Sequence, residues 1–166
     1  MKNKRRNLII AGFERVFPEL GINTYADMPS LDILINISAK IAPFINAMLD
    51  SGEHEEYAVS AVFDVYQLLP CDYIKHIDTQ ICGILYLGST DVTPAERFAI
   101  QKQYDTERDY TFFYADEELL EGAGYIVEQS QLMKSQCAQY GLPYYDTSYN
   151  RIETFEKIIR EIVQAD

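Results

Sequence analysis

The sequence predicts an α/β fold, a three-layer sandwich in which a short parallel sheet lies between layers of helices. Apolar segments near 57–64, 82–87 and 142–146 are short and lack polar alternation, as is typical of strands covered on both faces. Stretches with helical spacing of apolar residues lie between them, and strands that alternate with helices favour parallel pairing. We therefore expect a single domain over residues 1–166.

The N-terminal part of the chain should contain helices and loops. Residues 7–20 fit either the end of a strand or one face of a helix, and their spacing does not decide between the two. Ser30 is a suitable N-cap for a helix over about 31–49, in which Pro43 should introduce a kink. A short helix is expected over 72–78.

The segment 81–111 carries the clearest local signals. Its apolar run ends at Gly88 and is followed by turn residues. Thr93, Pro94 and Glu96 then provide a capping box with proline at the first helical position. Ligands of open parallel sheets bind at the carboxyl ends of the strands, so we expect the functional site near Gly88.

Two further helices follow this segment. Apolar residues at helical spacing predict a long helix over 116–140, and Gly141 is well placed to end it. A last helix begins after Asn150, and its large apolar residues share one face, namely Ile152, Phe155, Ile159 and Ile162.

Composition excludes several classes of protein. The formal net charge of −12, from 14 Lys+Arg against 26 Asp+Glu, argues against a nucleic-acid surface. No apolar run approaches the roughly 20 residues of a membrane span, so no membrane association is expected. Cys71, Cys82 and Cys137 have neither metal-ligand spacing nor a disulfide pattern, which predicts a cytoplasmic protein without a metal site of its own.

Four segments, in this order, carry a resemblance to a known family. A strand ending in Asp64 runs into a Tyr-Gln-Leu-Leu-Pro turn, and a second strand ends at Gly88 before its helix. The charged aromatic stretch 104–111 follows, and the strand and turn 143–148 come last. In this order they resemble the adenylate-kinase-like branch of the P-loop kinases, phosphotransferases that act on nucleosides, nucleotides and related small metabolites. The resemblance implies ATP and Mg²⁺ as cofactors and a lid at about 94–116.

The strand ends and the lid-like segment supply the candidate site residues. The catalytic candidates are Asp64, Lys102 and Arg108. The substrate-binding candidates are Gln67, Arg97 and Asp109. The nucleotide-binding candidates are Asp146, Thr147 and Ser148. Structural roles are the alternative at every position: turn caps at 64 and 146–148, a solvated loop residue at 67, and solvated or locally paired charges at 97–109.

One family signature is missing from the 166 residues. P-loop kinases carry G-x-x-x-x-G-K-[ST] to hold the phosphates, and the sequence contains no Gly-Lys pair at all. Phosphoryl transfer in this fold depends on that loop for positioning and charge neutralisation. We therefore expect either that an upstream segment of roughly thirty residues, the size of one such unit, is missing, or that the chain is a degenerate relative, inactive alone. The alternative is a non-catalytic interaction or oligomerisation module, whose partner could be a second copy of the chain in a homo-oligomer.

Overall fold

The computed structural model describes residues 30–50, 65, 67–80 and 82–165. The described residues up to Ile77 belong to one compact unit, and those from Asp78 belong to a second. The ambiguous segment 7–20, the predicted strand 57–64 and the candidate Asp64 lie outside the described residues. One domain over 1–166 stays a prediction.

The described residues of the first unit form two helices. Helix α1 (Leu31–Asp50) begins where the sequence predicts, and the Ile33 backbone N–H donates to Ser30 Oγ at 3.4 Å. Helix α2 (Pro70–His76) begins and ends two residues before the predicted range 72–78. The cause is Pro70, which occupies the first helical position, where its missing N–H costs nothing.

A buried polar link joins α1 to α2. Ser38 Oγ donates to Asp72 Oδ2 at 2.5 Å and accepts from the Leu69 backbone N–H at 2.8 Å. All three residues are buried, so each polar atom needs this partner. The candidate Gln67 is half-buried in the turn just before this link.

The second unit is built on a two-stranded parallel sheet. Strand β1 (Tyr86–Gly88) pairs with strand β2 (Tyr144–Asp146), with Tyr86 opposite Tyr144 and Gly88 opposite Asp146. Parallel strands need a long crossover, and here helices supply it. The parallel pairing of these two segments is confirmed.

The strands are shorter than predicted. Of the predicted strand 82–87 only residues 86 and 87 pair, and the strand then continues to Gly88. Of the predicted strand 142–146 only residues 144–146 pair. In the described part of the chain, no other strand lies beside Cys82–Leu85, so these residues have no ladder to join. The result is a mostly helical α/β structure, and a three-layer sandwich stays a prediction.

The crossover consists of helix α3 (Pro94–Tyr104), a 3₁₀ turn (Tyr110–Phe113) and helix α4 (Asp116–Tyr140). The capping box is confirmed, because the Glu96 N–H donates to Thr93 Oγ1 at 3.2 Å and the Thr93 N–H to Glu96 Oε2 at 2.8 Å. Gly141 ends α4 with φ 68°, as predicted. One face of α4 supplies much of the core, including Leu119, Ala123, Val127, Met133 and Cys137.

Helix α5 (Arg151–Ala165) follows Asn150, which has φ 51°. Asparagine tolerates this left-handed conformation better than most residues. Among the described side chains of α5, Ile158 is the buried apolar one, whereas the predicted apolar face is exposed. None of the helices in the described residues is long and apolar enough to span a bilayer.

Candidate functional site

The carboxyl ends of β1 and β2 meet in a polar cluster that we call the strand-end clamp, made of Thr90, Asp146, Ser148 and Lys134. The parallel register explains why these residues lie close together, because Gly88 and Asp146 end their strands side by side. Asp146 Oδ2 accepts from the Thr90 N–H at 2.7 Å and from Thr90 Oγ1 at 2.5 Å, and its Oδ1 accepts from the Ser148 N–H at 2.8 Å. Both carboxylate oxygens are therefore engaged within the chain.

Helix α4 completes the clamp with a cation. Lys134 Nζ donates to Thr90 Oγ1 at 2.9 Å and lies 3.3 Å from Asp91 Oδ1. It also lies 5.9 Å from the centroid of the Tyr144 ring. The ammonium group thus neutralises part of the negative charge at this edge of the sheet.

The clamp lowers the pKa of Asp146. Burial alone would raise this pKa, but the hydrogen bonds from Ser148 and Thr90 outweigh burial and bring it to about 2. The carboxylate therefore stays ionised at neutral pH, as its donors require. Burial raises the pKa of the nearby Tyr144 hydroxyl to about 12, so this phenol stays neutral.

Gly88 permits the close packing behind the clamp. A Cβ atom at this position would lie 2.2 Å from the Tyr144 hydroxyl oxygen and 2.9 Å from Ser130 Oγ. The same Ser130 Oγ accepts from the Ser89 N–H at 2.9 Å and donates to the Ile126 carbonyl at 2.7 Å. Any side chain at 88 would separate the strand end from α4.

The three nucleotide-binding candidates, at the end of β2 and in the turn after it, are brought together here, and each makes contacts within the fold. Thr147 donates to the Gly88 carbonyl through its N–H at 2.7 Å and through Oγ1 at 2.9 Å. Ser148 Oγ accepts from the Asp91 N–H at 3.2 Å. These contacts fit the structural alternative given for 146–148, and a nucleotide role stays a prediction.

A different region of the second unit forms a cleft of about 330 Å³ beside α3. Two substrate-binding candidates, Arg97 and Asp109, lie on its wall. The first residue of α5, Arg151, also lines it. The other lining residues are Ile100, Gln101, Tyr104, Asp105, Thr111 and Ile126. We call this the arginine cleft.

The polar atoms of the arginine cleft are poorly satisfied. Arg97 Nε and Asp105 Oδ2 are buried and have no hydrogen-bond partner among the described residues. In the same part of the chain, no carboxylate lies within ion-pair distance of Arg97 or Arg151. Burial and, after it, the charge of Arg151 lower the pKa of Arg97, and the charge of Asp105 partly opposes this shift. Buried polar atoms without partners are costly and rare, so these need an explanation.

The remaining candidates of the lid-like segment lie outside the cleft wall. Lys102 Nζ forms an ion pair with Asp116 Oδ1 at 2.9 Å, and both side chains are exposed. Arg108 is exposed in the turn that Asp109 closes, where Asp109 Oδ2 accepts from the Thr106 N–H at 3.0 Å and from Thr106 Oγ1 at 2.8 Å. Neither Lys102 nor Arg108 is among the described residues that line the cleft, and their catalytic assignment stays a prediction.

Arg151, which lines the same cleft as Arg97, is not among the site residues that the sequence predicts. A signal was available, because a cation in the first turn of a helix is disfavoured by the helix dipole. Such a placement, directly after the polar turn 146–150, indicates a role other than helix stability. The described residues contain no group of three or more His, Cys, Asp or Glu side chains that could hold a metal ion.

No protein-family model, no curated protein and no solved structure matches this chain. The resemblance to the P-loop kinases therefore rests on the sequence pattern alone.

Proposed function

We propose that this chain is a degenerate kinase-like domain, related to the P-loop phosphotransferases, that binds a phosphate-bearing small molecule and does not transfer phosphoryl groups by itself. The ligand class is a nucleotide, a phosphorylated nucleoside or a similar metabolite. The parallel pairing of 86–88 with 144–146 supports the kinase-like part of the proposal, since a parallel sheet with helical crossovers is what that relationship requires.

The observation that carries the binding proposal is the pair of arginines in the arginine cleft. Guanidinium groups bind phosphate oxygens through two parallel hydrogen bonds, and Arg97 and Arg151 have no described counter-ion to compete. In a chain with a net charge of −12, Arg97 and Arg151 bring two positive charges to one cleft wall, beside the carboxylates of Asp105 and Asp109. An anionic ligand would relieve the mutual repulsion of the arginines.

One carboxylate of the cleft defines the rest of the ligand. Asp105 Oδ2 is a buried acceptor without a described partner. A hydroxyl group of a sugar would donate to this acceptor while phosphate contacts the arginines. The volume of about 330 Å³ lies at the small end of the range for small-molecule sites.

Phosphoryl transfer is not expected of this chain alone, for a physical reason. The 166 residues contain no Gly-Lys pair, so no Walker-type loop cradles a triphosphate. Among the described residues that line the cleft there is no lysine. Mg²⁺, when bound with ATP, would neutralise phosphate charge, but the positioning that the loop supplies would still be lacking.

Isothermal titration calorimetry on the full chain tests this proposal. The ligands are Mg·ATP, Mg·ADP and inorganic pyrophosphate, and the variants are Arg97→Gln and Arg151→Gln. Arg160→Gln is the matched control, because Arg160 is an exposed arginine of the same helix outside the cleft. We expect binding that each cleft variant weakens about tenfold or more, a loss of about 1.4 kcal/mol, and that the control leaves unchanged.

Three results would contradict the proposal. Binding of none of these ligands, or equal losses in Arg160→Gln and Arg151→Gln, would exclude the arginine cleft as a phosphate site. Micromolar binding of Mg·ATP with turnover to ADP would overturn the claim that the chain is inactive alone.

A non-catalytic interaction or oligomerisation module is the second candidate, and a separate observation favours it. The large apolar residues of α5 are exposed on one face of the helix. Light scattering with and without nucleotide separates the candidates. A monomer that binds nucleotide favours the first, and a tight dimer indifferent to nucleotide favours the second.

A further inference from the structure

We propose that Asp105 makes the arginine cleft selective for anions that carry an O–H donor, and that oxyanions of the same charge without such a donor bind it poorly. The ligand class is a phosphate with a hydroxyl beside its charge. That hydroxyl is either a P–O–H group of the phosphate itself or an alcohol of the carbon chain attached to it. This inference rests on the proposed function and deepens it, because it names the residue that decides which anions bind.

One face of α3 forms the wall on which this selection depends. The cleft residues of α3 and its C-cap stand at positions i, i+3, i+4, i+7 and i+8, namely Arg97, Ile100, Gln101, Tyr104 and Asp105. Residues with this spacing lie on one side of a helix. A single helix therefore presents a cation from its first half and a carboxylate from its end to the same ligand.

The backbone holds Asp105 in place at the end of α3. As the C-cap residue, it donates its N–H to the Gln101 carbonyl at 2.9 Å. Its Oδ2 atom is buried and has no hydrogen-bond partner among the described residues. In the same part of the chain, no basic side chain lies within ion-pair distance of this carboxylate. A donor for Oδ2 must therefore come from outside these residues.

The other carboxylate on the wall does not share this role. Asp109 Oδ2 accepts from the Thr106 N–H at 3.0 Å and from Thr106 Oγ1 at 2.8 Å. These bonds close the turn that follows α3, so Asp109 already serves the local structure. Asp105 is thus the acidic residue of the cleft wall with a buried oxygen that lacks a described donor.

One small ligand can reach both the carboxylate and a guanidinium group. The charge of Asp105 partly opposes the lowering of the Arg97 pKa, so the two groups act on each other. They do not approach within ion-pair distance, and both line a cleft of about 330 Å³. A ligand between them would contact Arg97 through its anionic oxygens and Asp105 through a hydroxyl.

The selectivity follows from the chemistry of a carboxylate. An ionised carboxylate accepts hydrogen bonds and has no proton to donate. An anion without an O–H group offers it oxygens of like charge, so their contact is repulsive. An O–H group on the ligand replaces that repulsion by a charge-assisted hydrogen bond. The arginines attract both kinds of anion, so the discrimination comes from Asp105.

Isothermal titration calorimetry on the full chain at pH 8 tests the proposal with two matched pairs of anions. Sulfate and inorganic phosphate are both dianions, but phosphate keeps one P–O–H group. Propyl phosphate and glycerol 3-phosphate are both ionised twice at this pH, since the second pKa of a phosphate ester is about 6, and only the latter carries alcohols. We expect the hydroxyl-bearing member of at least one pair to bind about tenfold tighter or more. A preference for phosphate identifies P–O–H as the donor, and a preference for glycerol 3-phosphate identifies the alcohol.

The variant Asp105→Asn tests whether Asp105 causes the preference. Loss of a negative charge raises the affinity for every anion, so the ratio of affinities within a pair is compared. Asparagine keeps the shape and adds an N–H donor that accommodates either member, so the ratio should fall to about one. Glu107→Gln is the matched control, because Glu107 is exposed two residues away and outside the cleft lining. Its ratio should equal that of wild type.

Pyrophosphate in the same titrations separates this inference from the proposed function. If pyrophosphate binds and neither pair shows a preference in wild type, the role of Asp105 is overturned and the arginine cleft stands. A preference that Asp105→Asn retains, or that Glu107→Gln also abolishes, overturns that role as well. If neither pyrophosphate nor any of the four anions binds, both proposals fail.

Discussion

The strand-end clamp and the arginine cleft are two polar regions of the same unit with opposite properties. In the clamp, both oxygens of Asp146 accept hydrogen bonds, and Lys134 lies beside Thr90 and Asp91. In the cleft, buried atoms of Arg97 and Asp105 lack partners among the described residues. A polar group with all its partners in the chain contributes to the fold, whereas one without partners lowers stability unless a ligand supplies them.

This difference divides the predicted site residues into those whose side chains are used by the fold and those that line an open cleft. The residues 146–148 sit at the strand edge where ligands of parallel sheets bind, yet their side chains already hold the two strands together. Arg97 and Asp109, which belong to the crossover, line an open cleft instead. Position at a strand end therefore does not by itself distinguish a residue that binds ligand from one that the fold uses.

The largest effect on stability should come from Gly88→Ala, which disrupts the packing behind the clamp. The new Cβ would overlap the Tyr144 hydroxyl, and Ser130 leaves little room for either to move. We expect the free energy of unfolding to fall by about 1–3 kcal/mol, as for other overpacked sites. Urea denaturation measures this loss.

Gly124→Ala is the control for that variant. No heavy atom lies within 4 Å of a Cβ at Gly124, and alanine is the better helix former, so the same change should stabilise α4 by up to about 1 kcal/mol. Equal losses in the two alanine variants would show that Gly88 has no special packing role.

Asp146→Asn should have the next largest effect, because it removes the charge that strengthens the clamp hydrogen bonds. We expect a loss of about 1–2 kcal/mol at pH 7. The pKa of about 2 lies below the unfolded value of about 3.9, so the carboxylate stabilises the fold above pH 4. That contribution disappears as the pH falls through 2.

Denaturant titrations from pH 7 to pH 2 measure this pH dependence. Wild type and Asp146→Asn should differ at pH 7 and converge towards pH 2. Asp91→Asn is the control, since Asp91 forms an exposed pair with Lys134 and should cost less than about 1 kcal/mol. A difference that stays constant down to pH 2 would show that the ionised form of Asp146 has no special role.

A substitution in the arginine cleft should raise the free energy of unfolding, whereas those in the clamp lower it. Arg97→Met removes a buried Nε that has no described partner and keeps the aliphatic stem, so the free energy of unfolding should rise by up to about 1 kcal/mol in the absence of ligand. Thermal unfolding without phosphate in the buffer measures the change. A loss of 2 kcal/mol or more would mean that Arg97 is part of the structure.

The smallest effect should come from Lys102→Gln. The pair between Lys102 and Asp116 is 43% and 65% exposed, and such pairs contribute about 0–0.5 kcal/mol. Urea denaturation at low and high salt checks this value. A larger, salt-sensitive loss would give Lys102 a role in holding α3 against α4.

Local signals in the sequence predicted local structure well. The Thr93–Glu96 capping box and the Gly141 terminator depend on neighbours a few residues away, and both are confirmed. The ends of the strands were predicted less well, because a strand extends only as far as its partner does. That partner is nearly sixty residues distant in the chain.

The candidate site was predictable only in part, for the same reason. Arg97 and Asp109 lie in the lid-like segment, which the sequence indicates as part of the site. Arg151 lies more than forty residues later in the chain, and it reaches the same cleft only because the crossover and β2 bring it there. Likewise, the spacing on α5 predicts an apolar face, but spacing alone does not specify what covers it.

The most direct test of the account is the thermal unfolding of the full chain with and without inorganic pyrophosphate. At about one hundred times its dissociation constant, a ligand stabilises the folded state by about 2.7 kcal/mol. We expect this stabilisation for wild type and Arg160→Gln, and about 1.4 kcal/mol or less at the same ligand concentration for Arg97→Gln and Arg151→Gln. The same stabilisation in all four proteins, or in none, would contradict the account.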